Sequence, residues 1–79
     1  MKLLVRNLSR ATTEHELRTL FAEHGKVTTC NLVLDKETGQ SKGFAFVEMP
    51  NDIESKSAIK ALNQSTVDKS KIRVKLADA

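Results

Sequence analysis

The hydrophobic pattern of this chain switches repeatedly between two periods, and the order of the switches restricts the folds open to it. Residues 71–76 alternate strictly between basic and apolar side chains, which is the two-residue period of a β-strand. The stretches 2–6, 27–34 and 42–49 alternate similarly or are rich in β-branched and apolar residues. Two stretches between them repeat every three to four residues, as amphipathic helices do. The predicted order of elements is therefore β-α-β-β-α-β.

The first predicted helix, over about residues 14–24, carries signals at both ends. Thr13 and Glu16 have the three-residue spacing of a capping box, and Gly25 provides a C-terminal stop. Its apolar face is formed by residues three or four positions apart: Leu17, Leu20, Phe21 and His24.

The second predicted helix begins after Asn51, which has N-cap spacing to Glu54, and extends up to Asn63. Residues 35–41 predict a loop that joins two strands into a hairpin, and residues 64–70 predict a polar turn before the last strand. The apolar face of this helix contains Ser55, Ala58, Ile59 and Leu62.

With 79 residues, the chain has room for one domain with a small core, which excludes a separate catalytic lobe. The element order predicts an α+β, ferredoxin-like sandwich over residues 1–79, in which a four-stranded antiparallel sheet carries both helices on one face. The other face of that sheet is left open to water. What this open face carries is therefore the informative question about function.

Composition excludes several classes of protein. The longest apolar run, residues 44–47, is far shorter than the roughly 20 residues that span a bilayer. The N-terminal apolar stretch is too short for a secretory signal. If the sequence is complete, we expect the protein to stay where it is made, in the cytoplasm or, in a eukaryote, in the nucleus. The single cysteine, Cys30, fits a reducing compartment, and a monomer is expected.

The third predicted strand shows which side of the sheet is wet. Lys42, Phe44, Phe46 and Glu48 share one side of this strand, because side chains alternate along it. Lys and Glu are almost never fully buried without a partner, so this side faces solvent and takes two of the three phenylalanines with it. The opposite side carries Gly43, Ala45, Val47 and Met49, where Gly43 is predicted to let a helix approach closely.

The same alternation assigns the other strands. The inward positions are apolar throughout: Leu3, Val5, Cys30, Leu32, Leu34, Ile72, Val74 and Leu76. The outward positions are Lys2, Leu4, Arg6, Thr29, Asn31, Val33, Arg73 and Lys75. Five cations and Glu48 give the open face a net charge of +4, whereas the whole chain has +3. The basic charge is thus concentrated on the face that carries the two rings.

Two rings on a basic, solvated sheet can stack bases and neutralise phosphates, which are the requirements of single-stranded nucleic acid. An exposed apolar patch also marks protein interfaces, so a protein partner that covers Phe44, Phe46 and Leu4 is the alternative. Stacking does not distinguish RNA from DNA, which leaves single-stranded DNA as a further alternative.

Residues 42–49, Lys-Gly-Phe-Ala-Phe-Val-Glu-Met, resemble the octamer of the RNA recognition motif at seven of eight positions. Residues 3–8, Leu-Leu-Val-Arg-Asn-Leu, resemble the companion hexamer on the first strand. The resemblance covers the whole chain and includes 13–17, Leu20-Phe21, Thr38-Gly39 and 61–63. A chain that begins with Met and contains one such domain is similar to small bacterial members of this family, and a domain excised from a longer protein would have the same sequence.

The resemblance implies single-stranded RNA as the partner and a role for each matching position. Phe46 would stack under a base, Phe44 would press between sugars, and Lys42 would pair with a phosphate. Leu4 occupies the second stacking position. The sites implied for reading base edges are Asn31, Arg73, Lys75 and the backbone around Ala77, and Lys2 and Arg6 complete the predicted RNA-binding set.

The chain departs from the family pattern at four positions. Leu4 replaces an aromatic residue, so one stacking platform becomes an aliphatic contact. Arg6 stands where a small residue is common and either adds a contact or crowds the sheet. Met49 replaces an aromatic residue at an inward position, and Gln64 replaces a frequent glycine in a loop.

No catalytic or metal-binding arrangement is recognisable in the sequence. His15 is expected to be solvated and His24 to be a partly buried structural residue, and with Cys30 they do not assemble metal-ligand spacing. The three glycines are too scattered for a nucleotide-binding loop. Neither an enzyme nor a cofactor is predicted, and no membrane partner is expected.

Overall fold

The computed structural model describes residues 1–77 and places four strands in one antiparallel sheet, in the order β2-β3-β1-β6. The strands of this sheet are β1 (Lys2–Arg6), β2 (Thr29–Leu34), β3 (Ser41–Glu48) and β6 (Arg73–Leu76). Two helices, α1 (Glu14–Ala22) and α2 (Asp52–Leu62), cross between strands, and a short hairpin is formed by β4 (Thr66–Val67) and β5 (Ser70–Lys71). The ferredoxin-like prediction is confirmed.

Both helices begin where the capping residues predict. The Thr13 hydroxyl accepts a hydrogen bond from the Glu16 N–H at 3.1 Å, and the Asn51 side chain accepts one from the Glu54 N–H at 2.9 Å. These bonds satisfy N–H groups that have no partner inside the first turn. Helix α1 ends at Ala22, earlier than the predicted residue 24.

Gly25 allows the segment after α1 to pass close to α2, and it does not form the end of α1. A Cβ atom on Gly25 would lie 2.6 Å from the Cβ of Glu54, so only glycine fits beneath the first turn of α2. The Glu54 carboxylate also accepts a hydrogen bond from the Lys26 N–H at 3.2 Å. The predicted role of Gly25 as the stop of the helix is therefore wrong. A glycine is required at this position because of the close packing against Glu54.

One hydrophobic core lies between the helices and one face of the sheet. Leu17 and Phe21 of α1 and Ala58 and Leu62 of α2 pack against the inward residues of the strands. The buried inward set comprises Leu3, Val5, Cys30, Ala45, Val47, Met49, Ile72 and Val74. Both helices described over residues 1–77 lie on this side, and they leave the opposite face of the sheet uncovered. None of the helices described over residues 1–77 is long and apolar enough to cross a membrane.

Two residues predicted to face inward are exposed. Leu34 is 50% exposed because the pairing of β2 with β3 shifts between Leu32 and Leu34, and a shift in register breaks the alternation of faces. Leu76 is 41% exposed at the end of β6, the short strand at the sheet edge. The inward positions predicted for both residues assumed strict alternation along the strand, and this alternation breaks down at strand ends.

The segment predicted as a polar turn before the last strand is partly ordered as the β4–β5 hairpin. Its tip, Asp68 and Lys69, has φ angles of 50° and 69°, which suit a tight reversal between two short strands. The carboxylate of Asp68 accepts a hydrogen bond from the Thr12 hydroxyl at 2.8 Å, which ties the hairpin to the β1–α1 loop.

Gly43 does not admit a helix, contrary to the sequence-based interpretation. Its φ angle is 87°, and the nearest atom to a built Cβ is the carbonyl oxygen of Leu8 at 3.5 Å. The Gly43 carbonyl accepts a hydrogen bond from the Leu8 N–H at 2.9 Å. Gly43 therefore lets β3 adopt a backbone conformation that pairs with the segment leaving β1.

Candidate nucleic-acid interface

A row of side chains crosses the whole open face of the sheet. Asn31 of β2 pairs with Phe46 of β3, Phe46 pairs with Leu4 of β1, and Leu4 pairs with Lys75 of β6. With neighbouring strands about 4.8 Å apart, the four positions span about 14 Å. We call these four residues the central row. It combines an amide, a ring, an aliphatic group and a cation on one helix-free surface.

The rings of the open face contact each other. Phe44 and Phe46 stand edge to face, with ring centroids 6.1 Å apart and an interplanar angle of 90°. This geometry is favourable for an aromatic pair and holds each ring in position. Both rings are partly exposed, whereas Ala45 and Val47 between and beside them are fully buried. The parity predicted for β3 is confirmed.

Lys2 lies over one of these rings, an arrangement that the sequence did not indicate. Its Nζ atom is 4.8 Å from the centroid of Phe46, within the range of a cation–π interaction. Glu48, the cross-strand partner of Lys2, and Thr29 continue this end of the face as a second row. The ring of Phe46 is therefore already covered in part by a cation of the protein itself.

The opposite end of the face is basic. Arg6 of β1 and Arg73 of β6 are direct cross-strand partners, and both are exposed. Beyond the end of β1, a depression is lined by Arg6, Arg10 and Lys42 together with Asn7, Leu8, Gly43 and Phe44. A second depression lies between Arg6, Asn63, Arg73, Val74 and Lys75. Among the residues that the structure describes, no carboxylate lines either depression.

The structure places all of the predicted interface residues from Lys2 to Lys75 on or beside this face. Lys2, Arg6, Asn31, Lys42, Arg73 and Lys75 are exposed, and Leu4, Phe44 and Phe46 are partly buried. Ala77 follows β6, and its N–H donates to the Lys2 carbonyl at 2.8 Å, so that donor is already used. Arg10 was missed at the sequence level because a loop residue carries no period.

Two ionisable groups outside the rows have shifted pKa values. Hydrogen bonds from the N–H groups of Glu37 and Thr38 lower the pKa of the Asp35 carboxyl, with smaller contributions from Lys42 and Arg10. Burial, and next the charge of Glu14, raise the pKa of the Cys30 thiol. His15 is exposed and His24 is partly buried. No cluster of His, Cys, Asp or Glu within residues 1–77 is arranged to hold a metal ion.

The chain matches the family model described as the RNA recognition motif over residues 3–73. It is 42% identical to the chloroplastic 28 kDa ribonucleoprotein of Spinacia oleracea over 77 residues, 98% of this chain and 33% of that protein. It is 48% identical to the putative RNA-binding protein RbpB of a Nostoc species over 63 residues, 80% of this chain and 61% of that protein. The chain thus spans from about a third to three fifths of these relatives.

Solved structures show the same fold. The crystal structure of the RNA-binding protein PG1 superposes with a TM-score of 0.94 at 34% identity, covering 100% of this chain and 96% of that chain. A structure of the Sex-lethal protein in complex with RNA superposes with a TM-score of 0.93 at 37% identity, covering 99% of this chain and 47% of that chain. Both likenesses extend over essentially the full length of the present chain.

Proposed function

The chain belongs to the RNA recognition motif family, and on that basis we propose that it binds short single-stranded RNA on the open face of its sheet, without catalysis. The central row is the observation that carries this proposal. It sets a partly exposed ring between an amide and an aliphatic group and ends on a cation. A span of about 14 Å has room for the two or three bases that such a sheet stacks.

Binding at Phe46 is proposed to be an exchange of partners. The ring face that carries the Lys2 ammonium is also a surface on which a base can stack. A base that takes this place releases Lys2, and the released cation can then neutralise a phosphate of the same strand. Stacking is therefore opposed by the loss of a cation–π contact, about 0.5–1 kcal/mol at an exposed site.

The cations are proposed to contact phosphates, which makes the affinity depend on salt. Three to four contacts from Arg6, Lys42, Arg73 and Lys75 would give a log–log salt slope near −2 to −3, at roughly −0.7 per contact for a single strand. The test is fluorescence anisotropy of a labelled pool of RNA decamers between about 50 and 200 mM salt. A slope near zero with measurable binding would favour the alternative, an apolar patch for a protein partner.

Phe46→Ala is the variant that tests stacking most directly. We expect the dissociation constant for the RNA pool to rise by an amount equivalent to about 1–3 kcal/mol, the usual value of a base–aromatic stack. Ile53→Ala is the matched control, because Ile53 is an apolar residue 80% exposed on α2, away from the sheet face. Equal binding by both variants would remove the stacking role of Phe46.

RNA is proposed over DNA as the physiological partner, since the family model and the RNA-bound relative point in that direction. Parallel titrations with RNA and DNA decamers of one sequence test this point. Preference for RNA requires contacts to the 2′-hydroxyl group, and equal affinities would mean that the face makes none that matter.

We also propose that the protein is a monomer and is located in the cytoplasm. The monomer is supported by both edges of the sheet, where side chains already accept from strand N–H groups. Glu14 accepts from Leu32 at 2.9 Å, and Asn63 accepts from Val74 at 3.0 Å. Such contacts hinder edge-to-edge pairing with a second copy. Sedimentation equilibrium tests the monomer, and fractionation of cells that express the tagged protein tests the location.

A further inference from the structure

The depression at the end of β1 combines positive charge with polar walls. Arg6, Arg10 and Lys42 line it, together with Phe44 of the stacking surface. Lys42 and Arg10 both act electrostatically on the Asp35 carboxylate, which does not line the depression. Its Oδ1 atom already accepts hydrogen bonds from Glu37 and Thr38 at 2.8 and 3.2 Å. Within residues 1–77, three cations thus share a site whose lining includes no acidic side chain.

A fourth cation adjoins the same site through Arg6. Arg73 lies directly across from Arg6 in the β1–β6 pairing, and the two also line a common depression with Asn7. Like charges placed directly opposite each other in a sheet are destabilising. The repulsion is relieved when an anion lies between or beside the two guanidinium groups, whose planar donors suit the oxygens of a phosphate.

The backbone around this site is held in place before any ligand arrives. Asn7, with a φ angle of 60°, turns the chain out of β1, and its side-chain amide donates to the Lys71 carbonyl at 2.7 Å. The N–H of the next residue, Leu8, donates a hydrogen bond to the Gly43 carbonyl. The loop ends at Thr12, which is buried and whose hydroxyl donates a hydrogen bond to the Asp68 carboxylate. Arg10 therefore extends from a loop that is fixed at both ends, which lowers the entropic cost of ordering it around a ligand.

We propose that Arg6, Arg10, Lys42 and Arg73 form a phosphate-binding corner that takes neighbouring internal phosphodiesters of the bound strand next to the nucleotide at Phe44, and that Arg10 binds one of these phosphodiesters. This inference rests on the proposed function and extends it to Arg10, a residue off the sheet. The other end of the face carries Glu48 beside Lys2, so the two ends differ in charge. The strand is therefore directed off the sheet over the β1–α1 loop.

The first test compares two Arg→Gln variants in the intact chain. Arg10→Gln removes one cation from the corner, and Arg18→Gln removes one from the exposed surface of α1 as the matched control. The probe is a labelled RNA decamer of one sequence with hydroxyl groups at both ends, so that it carries internal phosphates only. For Arg10→Gln we expect affinity to fall about fivefold near 0.1 M salt and the salt slope to flatten by about 0.7, the contribution of one phosphate contact. Arg18→Gln should change neither value.

A second test locates the phosphate. Each phosphodiester of the decamer is replaced in turn by a neutral methylphosphonate, and every strand is titrated against the wild-type protein and Arg10→Gln. At one linkage the replacement should weaken wild-type binding and leave Arg10→Gln unaffected, since both changes remove the same contact. If every replacement weakens the two proteins equally, Arg10 does not bind an internal phosphodiester, and the proposed corner is wrong.

The outcomes separate this inference from the function on which it rests. If neither protein binds the decamer, the proposed function fails. If the decamer binds and Arg10→Gln equals wild type in affinity and salt slope, the proposed function survives and the corner is wrong. If the two proteins differ only when the strand carries a 5′-phosphate, the corner selects strand ends, and the assignment to an internal phosphodiester is overturned.

Discussion

Replacing Leu4 by phenylalanine tests how the central row works, because this position departs most from the family pattern. Leu4 is partly buried between Phe46 on β3 and Lys75 on β6. Directly paired residues have Cβ atoms about 4.5–5.5 Å apart, which is within reach of an aromatic pair. A ring at position 4 would therefore stand beside Phe46 and widen the surface available to bases.

The expected gain follows from what leucine already supplies. A full base–aromatic stack contributes about 1–3 kcal/mol, and the aliphatic group at position 4 already makes part of that contact. The new ring must also align with Phe46 and leave room for Lys75. We therefore expect a gain of about 1 kcal/mol, or roughly fivefold in affinity. The folded state should keep its stability, because a cross-strand aromatic pair adds about 0.2–1 kcal/mol and the inward core is unchanged.

The assay is a titration of wild type, Leu4→Phe and Leu4→Met with the same labelled RNA decamer. Leu4→Met is the control, since methionine has a similar volume but no flat ring. Combining Leu4→Phe with Phe46→Ala shows whether the new ring depends on its neighbour. Equal or weaker binding by a well-folded Leu4→Phe protein would refute the stacking role assigned to this position.

Three further predictions concern other features of the structure. Lys2→Gln should weaken RNA binding at low salt and flatten the salt slope by about 0.7, because it removes a phosphate contact. The loss should be small at high salt, because the substitution also removes a cation that competes with the base for the ring of Phe46. Titrations of wild type and Lys2→Gln at several salt concentrations check this. Gly43→Ala should lower the free energy of unfolding by about 1–2 kcal/mol, because a φ angle of 87° disfavours any residue with a side chain. A steric clash is not the cause, since the added Cβ would lie 3.5 Å from the Leu8 carbonyl oxygen. Urea denaturation measures the change, and a midpoint equal to that of wild type would contradict this prediction. The Cys30 thiol should react slowly with a thiol reagent until the protein unfolds. Because its folded pKa lies above the ordinary 9.0, the contribution of Cys30 to stability is present below pH 9.0 and declines above it, a decline that Cys30→Ser should lack.

Local sequence determined the elements and the orientation of the central strands. Helix starts could be predicted at Thr13 and Asn51 because a cap acts within one turn of its own helix. The wet side of β3 could be predicted because Lys42 and Glu48 resist burial and the alternation carries Phe44 and Phe46 with them. These outcomes depend on neighbours a few residues away, which the sequence displays directly.

Tertiary structure decided which side chains meet. Phe46 and Leu4 are 42 positions apart, and only the strand register places them in one row with Asn31 and Lys75. The exposure of Leu34 likewise depends on a shift in register that alternation alone does not contain. The pairing register is set by contacts among all the strands at once, and the positions of loop residues depend on that register. The position of Lys2 over Phe46 and of Arg10 beside Arg6 therefore became visible only in the folded chain, because neither arrangement has a signature within a few residues along the sequence.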